Sequence, residues 1–219
     1  MQGPFVGMKF DVPNFNTAML LGTWEKELWP LIYYTDEIKP TGIICIGAAE
    51  GYYAVGLARL FPDLSVIAFE QNHKYSIFLS NLVSDNNCKN VIVKGSCDRL
   101  ELEHSLNELG ENPLVFCDIE GGEVDLLDAN YIHSLNHTHM IVEVHEMYVR
   151  DCEKKLLDRF SRTHSATVFK GKKRMMTDFP KKVLPLRLLS SRNIILNLMD
   201  EGRPYPMNWI YFEPNKSTH

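Results

Sequence analysis

The chain has 219 residues, 45% of them hydrophobic and 11% aromatic, which is enough for one buried core and too few for two. A net charge of -5 gives no overall electrostatic reason to expect nucleic acid as a partner. No apolar run approaches the roughly 20 residues that cross a bilayer, and the N-terminus lacks a secretory pattern, so we expect a soluble protein.

The cysteines form neither a disulfide framework nor a zinc pattern. They number five, an odd count without C-x-x-C spacing: Cys45, Cys88, Cys97, Cys117 and Cys152. We therefore predict reduced thiols and a cytoplasmic location. Cys45 and Cys117 lie near the ends of two strands that are predicted to be neighbours, so their sulfur atoms are expected to approach each other as a reduced pair.

The N-terminal region is predicted to be an irregular arm followed by a helical cap. Residues 1–13 are rich in glycine and proline, and residues 14–31 repeat apolar side chains at roughly helical spacing, interrupted by Pro30, which predicts one helix or a kinked pair. The apolar face is expected to cover one side of a sheet. The alternative is a lid over a ligand cleft or a dimer surface, anchored by Trp24 and Trp29.

The segment 41–59 predicts a strand, a glycine turn and a helix. An apolar run, 43–46, ends at Gly47 and Gly51 and leads into a segment whose residues suit a helix. This pattern is typical of the first unit of a nucleotide-binding sheet, where glycine leaves room for a ligand and permits positive φ angles. An ordinary tight turn is the alternative.

The next acidic residue, Glu70, ends a second predicted strand, 65–69. It follows the glycines by about 20 residues, where a carboxylate can accept both hydroxyls of a ribose, so we predict an adenosine derivative. A dinucleotide fits poorly, because Ala49 and Tyr52 occupy two glycine positions of its motif and Glu50 places negative charge at the helix N-terminus. S-adenosylmethionine has the ribose and a cation but no phosphate, and suits this loop better than NAD.

Further elements alternate along the chain: helix 72–87, strand 91–93, helix 100–109 and strand 114–117. Between the third strand and its helix, Ser96 or Asp98 is placed to accept a hydrogen bond from an adenine amino group, and a helix N-cap is the alternative. The predicted cofactor-binding residues are Gly47, Ala48, Glu50, Gly51, Glu70, Gln71, Ser96, Asp98 and Asp118.

Acid-base groups follow the fourth and fifth predicted strands. After residue 117 the sequence reads D-I-E-G-G-E, and strand 140–144 contains Glu143 and is followed by His145 and Glu146. Because the carboxyl ends of parallel strands form the ligand crevice, we expect four side chains to face Gly47 across one cleft: Asp118, Glu120, His145 and Glu146.

We predict that His145 is the general base, because an imidazole with a pKa of about 6.5 can take a proton at neutral pH. Asp118 and Glu120 are expected to orient it or to bind the acceptor's hydroxyls. The alternative for His145 is a strand-end residue bonded to a backbone carbonyl. The site is predicted without a metal; a second alternative is magnesium or manganese held by Asp118, His145 and either Glu143 or Glu146.

The remaining chain predicts helix 148–160, strand 166–170, a possible helix 191–201 and a last strand near 209–212. We therefore divide a single domain into an arm and cap (1–40), a cofactor-binding core (41–170), an irregular basic insertion (171–208) and a closing strand (209–213). The insertion region holds a basic patch that could contact RNA or form a solvated loop: Lys170, Lys172, Lys173, Arg174, Lys181 and Lys182.

Together these segments resemble class I S-adenosylmethionine-dependent methyltransferases and, within them, the FkbM-type family. The similarity covers roughly 42–146 and rests on four motifs in order: I-G-A-A-E-G-Y-Y at 46–53, A-F-E at 68–70, D-I-E-G-G-E at 118–123 and V-E-V-H at 142–145. It implies an α/β fold of the Rossmann-like class, a doubly wound, mostly parallel seven-stranded sheet with helices on both faces and an antiparallel last strand. It also implies O-methylation of hydroxyls on sugars or natural products.

Three positions depart from the family pattern. Cys45 replaces a usual aspartate, Gln71 a usual proline, and Phe116 a usual lysine near the substrate. We predict an S-adenosylmethionine-dependent methyltransferase with a small-molecule or sugar acceptor and no membrane partner. The alternative is a non-catalytic module that binds S-adenosylmethionine or RNA, and the sequence leaves the oligomeric state open.

Overall fold

A computed structural model describes residues 1–13, 15–183, 185 and 190–215. The strands are β1 (Gly42–Ile46), β2 (Ser65–Phe69), β3 (Val91–Lys94), β4 (Leu114–Cys117), β5 (His139–Val144), β6 (His164–Phe169) and β7 (Asn208–Pro214). They form one sheet in the order β3-β2-β1-β4-β5-β7-β6, in which β7 is antiparallel to both neighbours and the other adjoining pairs are parallel. The predicted fold class, with its antiparallel last strand, is confirmed.

Helices connect these strands and cover the sheet on both faces. They are α1 (Thr17–Leu21), α2 (Trp29–Ile38), α3 (Tyr52–Leu60), α4 (His73–Asp85), α5 (Arg99–Leu109), α6 (Glu123–Leu126), α7 (Cys152–Phe160) and α8 (Arg192–Leu198). In the ranges described, none of the helices has both the length and the apolar character that crossing a membrane requires.

Of the two alternatives predicted for 14–31, one helix or a kinked pair, the structure has two helices, but they separate before Pro30. The first residue of the predicted segment, Asn14, lies outside the described residues, and α1 and α2 are separated by a turn and a 3₁₀ helix, Lys26–Leu28. Pro30 lies in the first turn of α2, where a helix does not need the missing N–H, so it starts the second helix instead of bending a longer one. Apolar side chains of the arm before α1 join the core, since Phe5 and Met8 are only 1% and 2% exposed.

Alternate residues of the central strands pack on opposite faces of the sheet. Ile43 and Cys45 join the hydrophobic cluster under α2, α3 and α4, whereas Ile46 and Cys117 join the cluster under α5 and α7. Register pairs Cys117 with Ile46, and strand partners share a face. The predicted approach of the Cys45 and Cys117 sulfur atoms is therefore wrong, although all five cysteines are free thiols.

Candidate active site

The Gly47 loop connects β1 to α3 at the carboxyl edge of the sheet. Gly47 has a φ of +77°, and a Cβ there would lie 1.7 Å from the backbone oxygen of Asp118. Gly51 has a φ of +100°, and its Cβ would lie 2.7 Å from a methyl group of Leu79 on α4. We predicted that a ligand requires these glycines; in the structure the chain's own neighbouring loop and helix already exclude a side chain.

Glu70 follows β2 and faces a cavity of about 470 Å³, which we name the Glu70 pocket. One carboxylate oxygen accepts a hydrogen bond from the Ala49 N–H at 2.8 Å, and the other accepts from the Asn72 N–H at 2.6 Å. These two bonds fix the carboxylate in place. Because each carboxylate oxygen has more than one lone pair, both can accept a further hydrogen bond from a ligand.

The predicted cofactor residues divide between two adjoining pockets. Those that line the Glu70 pocket are Gly47, Glu70, Gln71 and Asp118, and those that line its neighbour include Ala48 and Glu50. Gly51 instead packs against α4. In the loop before α5, the residues that line the Glu70 pocket are Gly95 and Cys97. Asp98, predicted with Ser96 as a partner for the adenine, accepts a hydrogen bond from the Glu101 N–H as the N-cap of α5. The alternative that we stated for Asp98 is thus observed.

The neighbouring cavity, of about 400 Å³, is the aromatic pocket. It shares a wall with the Glu70 pocket, formed by Ile46, Gly47, Ala49, Asp118 and Glu120. Its other walls include Phe10, Phe15, Trp24, Tyr52, Tyr53 and Phe116. Residues of the N-terminal cap thus border this pocket. The position of Trp24 agrees with the alternative that the cap is a lid over the ligand cleft.

His145 lies at the centre of an acidic cluster where β4 and β5 end. Its Nδ1 is 2.7 Å from Glu123 Oε1, and its Nε2 is 3.3 Å from Glu143 Oε2. Two further carboxylates lie near Nε2, Asp118 at 3.5 Å and Glu120 at 3.4 Å. The structure thereby brings together the three residues that we predicted to be catalytic, and it adds Glu123 and Glu143.

Burial and these contacts set the protonation of the cluster. Burial acts to lower the pKa of His145, but hydrogen bonds to Glu123 and Glu143 outweigh it and raise the pKa to about 10. Burial, together with the negative charge of Glu143, raises the pKa of Asp118 well above its ordinary value. An imidazolium has no lone pair to accept a proton, so the structure does not support the predicted role of His145 as general base.

Glu123 holds the β4–α6 loop in shape. Its Oε1 accepts the N–H groups of Ile119 at 3.1 Å and Gly121 at 3.3 Å as well as facing His145. Burial acts to raise the pKa of Glu123, but the hydrogen bond with His145 leaves it lowered overall. Glu120, within this loop, has a φ of 53°, a conformation that residues other than glycine rarely adopt. The loop therefore presents Glu120 in a conformation fixed by Glu123.

The acidic cluster has a place for a cation. Asp118, Glu143 and His145 each offer a ligand atom, and these atoms all lie within 4.8 Å of one another. Asp118 Oδ1 is shielded from water and forms no hydrogen bond with the described residues. Glu146 points elsewhere, since it accepts the Glu153 N–H at 2.8 Å in front of α7. The predicted place of Glu146 in the cleft is therefore wrong, because strand alternation directs Glu143 and His145 to the same side.

Arg203 and Glu25 are site residues that sequence reasoning missed. Arg203 donates to Glu143 through one nitrogen and to Glu25 through another, the second at 2.6 Å, and it lies over the ring of Trp24 at 4.9 Å. Tyr53 donates its hydroxyl hydrogen to Glu25. Burial raises the pKa of Glu25 to about 7, against the opposing charge of Arg203. No local pattern marks these residues, because they meet only when the chain's two ends fold onto the sheet.

Part of the predicted basic patch is structural. Arg174 pairs with Glu27 and Glu201, each at 2.6 Å, and its side chain is 7% exposed. The remaining basic residues of the patch, all lysines, are exposed. Arg174, one of the six basic residues of the predicted patch, thus holds the region after β6 against the N-terminal cap.

Solved structures share this architecture. The O-methyltransferase TomG from Streptomyces achromogenes has a TM-score of 0.54 and 14% identity, with 93% of this chain and 92% of that chain covered. The chain has the class I methyltransferase fold. An O-methyltransferase from Bacillus cereus has a TM-score of 0.51 and 15% identity, with 92% of each chain covered. An rRNA methylase from Streptococcus thermophilus has a TM-score of 0.54 and 12% identity, with 86% of this chain and 96% of that chain covered.

In sequence, no protein-family profile matches the chain, and no curated protein matches it. At identities of 12–15% the structural similarity establishes the methyltransferase fold alone. In such a sheet the strand order reverses beside the first strand, here between β1 and β4, and ligands bind at that point. The Gly47 loop and Asp118 lie there, so both pockets occupy the expected crevice of the fold.

Proposed function

We propose that this protein is an S-adenosylmethionine-dependent methyltransferase that modifies a hydroxyl group of a small molecule. The observation that carries the proposal is the position of Glu70, which lines a pocket with both oxygens fixed by backbone N–H groups. A carboxylate so placed can accept the two hydroxyls of a ribose. The acidic cluster borders the same pocket and favours a ligand that carries positive charge.

The donor groups fit S-adenosylmethionine better than a dinucleotide. Gly47 and Ala48 both donate their N–H groups to the Phe69 carbonyl, at 3.0 and 2.9 Å, and so are not directed at a pyrophosphate. When bound, S-adenosylmethionine supplies the methyl group from a cationic sulfur. Two solved structures with this fold, TomG and the Bacillus cereus enzyme, are complexes with S-adenosylmethionine and S-adenosylhomocysteine, which supports the proposal.

Asp118 and Glu120 are the residues that orient the acceptor. Both line the shared wall of the two pockets, where the Asp118 side chain is 27% exposed and that of Glu120 is 70% exposed. Either side chain can bind the acceptor hydroxyl at this wall, and Glu120 can receive its proton, because the raised pKa of Asp118 favours the protonated form of that residue. Alignment then provides most of the rate enhancement. His145 is a positioning residue in this scheme, because its two nitrogens hold the carboxylates that surround it.

The finer assignment, to the FkbM-type family, rests on the four sequence motifs. The motif residues Glu70, Asp118 and Glu120 line the Glu70 pocket, which agrees with a shared cofactor site. The departure at Phe116 bears on the acceptor. Its ring lies 4.2 Å from that of Tyr53 and 4.9 Å from that of Trp209, so an aromatic wall stands where the family has a cation.

A metal-dependent methyltransferase is the second candidate. The observation that favours it is the group of Asp118, Glu143 and His145, whose ligand atoms lie within 4.8 Å of one another. Two carboxylates and one imidazole suit magnesium or manganese. A metal there would require His145 to be neutral, and it would hold the acceptor oxygen near Asp118.

Calorimetry and a transfer assay test the proposal. Purified protein is titrated with S-adenosylhomocysteine, S-adenosylmethionine and NAD, and then incubated with labelled methyl donor and sugars, phenols or RNA, with EDTA or magnesium. We expect the two adenosyl compounds to bind, NAD not to bind, and the label to enter a small molecule. Binding of NAD instead, or of neither compound, would overturn the proposal; label in RNA would replace its acceptor class. Activity only with magnesium would select the metal-dependent candidate.

A further inference from the structure

We propose that the methyl acceptor is a neutral or cationic phenol, whose ring occupies the aromatic pocket and whose hydroxyl meets Asp118. This inference rests on the proposed methyltransferase function and narrows its substrate class. It follows from what the pocket walls are made of, which of their polar groups are already bonded within the protein, and the sign of the charges that remain.

The walls favour a flat, apolar body. The ring centroids of Tyr53 and Phe116 lie 4.2 Å apart with the rings tilted by 32°, and Phe10 packs edge-on against Tyr52 at a centroid distance of 5.8 Å. Phe15 lies at the same pocket and is 41% exposed, so part of its ring is still open to a ligand. Aromatic rings gain from stacking or edge contacts beyond the burial of their area. A planar ring is therefore the acceptor shape that this pocket suits.

Several polar groups of the pocket already have partners within the protein. The Tyr53 hydroxyl donates to Glu25, and the Asn16 amide donates to the Asp200 carbonyl at 3.0 Å. Glu201 is paired with Arg174 at 2.6 Å. A sugar would bring hydroxyls all round its ring into this pocket, and those that face the aromatic walls, away from Glu50, Asp118 and Glu120, would be left without partners at a cost in free energy. This argues against a sugar and for an acceptor with few polar groups.

The charge of the pocket disfavours an anion. Among the described residues that line it, the one cation is Arg203, which already contacts Glu25 and Glu143. The carboxylates of Glu50 and Glu120 line the pocket as well. A phosphate or carboxylate on the acceptor would face these groups without an uncommitted cation, and like charges repel strongly at such sites. A neutral acceptor, or one carrying an amine, meets no such penalty.

The chemistry favours the same class. Methyl transfer forms a carbon–oxygen bond and breaks a carbon–sulfur bond, with the electron pair left on sulfur as a neutral thioether, while the hydroxyl proton passes to a carboxylate of the cluster and then to water. Carboxylates are weak bases. A phenol, with a pKa of about 10, releases its proton more readily than the hydroxyl of a sugar does.

A binding panel with one matched skeleton tests the inference. The full chain, saturated with S-adenosylhomocysteine, is titrated calorimetrically with tyramine, 4-hydroxybenzyl alcohol, 4-hydroxyphenylacetate and a methyl glucoside. We expect the cationic and neutral phenols to bind at least about tenfold more tightly than the anionic phenol or the sugar. Equal or tighter binding of the sugar or the anion would overturn the inference alone. Absence of S-adenosylhomocysteine binding would overturn the proposed function, and this inference with it.

Two variants locate the binding to the aromatic pocket. Phe15→Ala is expected to weaken phenol binding about three- to tenfold, whereas Tyr33→Ala, which removes a 57% exposed aromatic ring on α2, is expected to leave it unchanged. Glu50→Lys is expected to shift preference toward the anionic phenol, and Glu37→Lys, on the exposed side of α2, is not. If Phe15→Ala and Tyr33→Ala bind the phenol equally well, and Glu50→Lys and Glu37→Lys show the same preference, the phenol does not bind in this pocket and the inference fails.

Discussion

Arg203 Nη2 lies 2.6 Å from Glu25 Oε1, although the two residues are 178 positions apart in the sequence. The same guanidinium donates to Glu143 on β5. Both carboxylates are almost fully buried, at 2% and 1% exposure. One side chain thus joins the N-terminal cap, the segment before β7 and the central sheet, at the wall of the aromatic pocket.

Arg203→Ala should lower the free energy of unfolding by about 3–5 kcal/mol, because it leaves two buried carboxylates without their cation. Urea unfolding followed by circular dichroism measures the change. Arg192→Ala, which removes an exposed arginine at the start of α8, is the matched control and should change stability little. An unfolding free energy equal to that of the wild type would show that the ion pairs do not hold the cap.

Glu70→Ala should weaken the binding of S-adenosylhomocysteine by about 1.5–3 kcal/mol, the range for hydrogen bonds to a charged group. Glu70→Gln keeps one acceptor oxygen, so the affinity of this variant for S-adenosylhomocysteine should lie between those of the wild type and Glu70→Ala. Because Glu70 also holds the Ala49 and Asn72 N–H groups, thermal unfolding of each variant must be measured beside calorimetry. Glu108→Ala, on an exposed position of α5, is the control; unchanged affinity in Glu70→Ala would contradict the ribose contact.

The pH dependence of stability should report the buried imidazole. The folded-state pKa of His145 is raised from 6.5 to about 10, so its protonation stabilises the fold fully below about pH 6.5, and this contribution is lost as pH rises through about 10. The stability difference between wild type and His145→Gln, measured in EDTA by urea unfolding, should therefore shrink between pH 6.5 and 10. A difference that is constant or grows would contradict protonation of His145.

A divalent cation should compete with that proton if the second candidate function holds. Calorimetric titration with manganese at pH 7.5 and above should then show one site, accompanied by proton release, because a coordinating imidazole must be neutral. Asp118→Asn should weaken manganese binding, and Glu146→Gln should not, since Glu146 is directed toward α7. Manganese binding that is equal in the two variants would place the ion outside the acidic cluster.

The sequence by itself determined the strands and the loops at their carboxyl ends. Apolar runs located β1, β2 and β4, and the acidic residues that follow β2 and β4, Glu70 and Asp118, line the Glu70 pocket as expected. Both kinds of signal are local, because strand formation and turn chemistry depend on residues within a few positions of one another. The parallel order of the strands then brings their ends to one edge of the sheet.

Only the tertiary structure decided which groups meet and what charge they carry. Arg203 reaches Glu25 and Glu143 from an irregular segment, and neither distance nor burial can be deduced from its neighbours in sequence. His145 suggested a base from its ordinary pKa, but the carboxylates gathered around it keep it protonated. Cys45 and Cys117 end on opposite faces because register sets the side to which each residue points. Long-range packing, and the electrostatic environment that it creates, fixed all three outcomes.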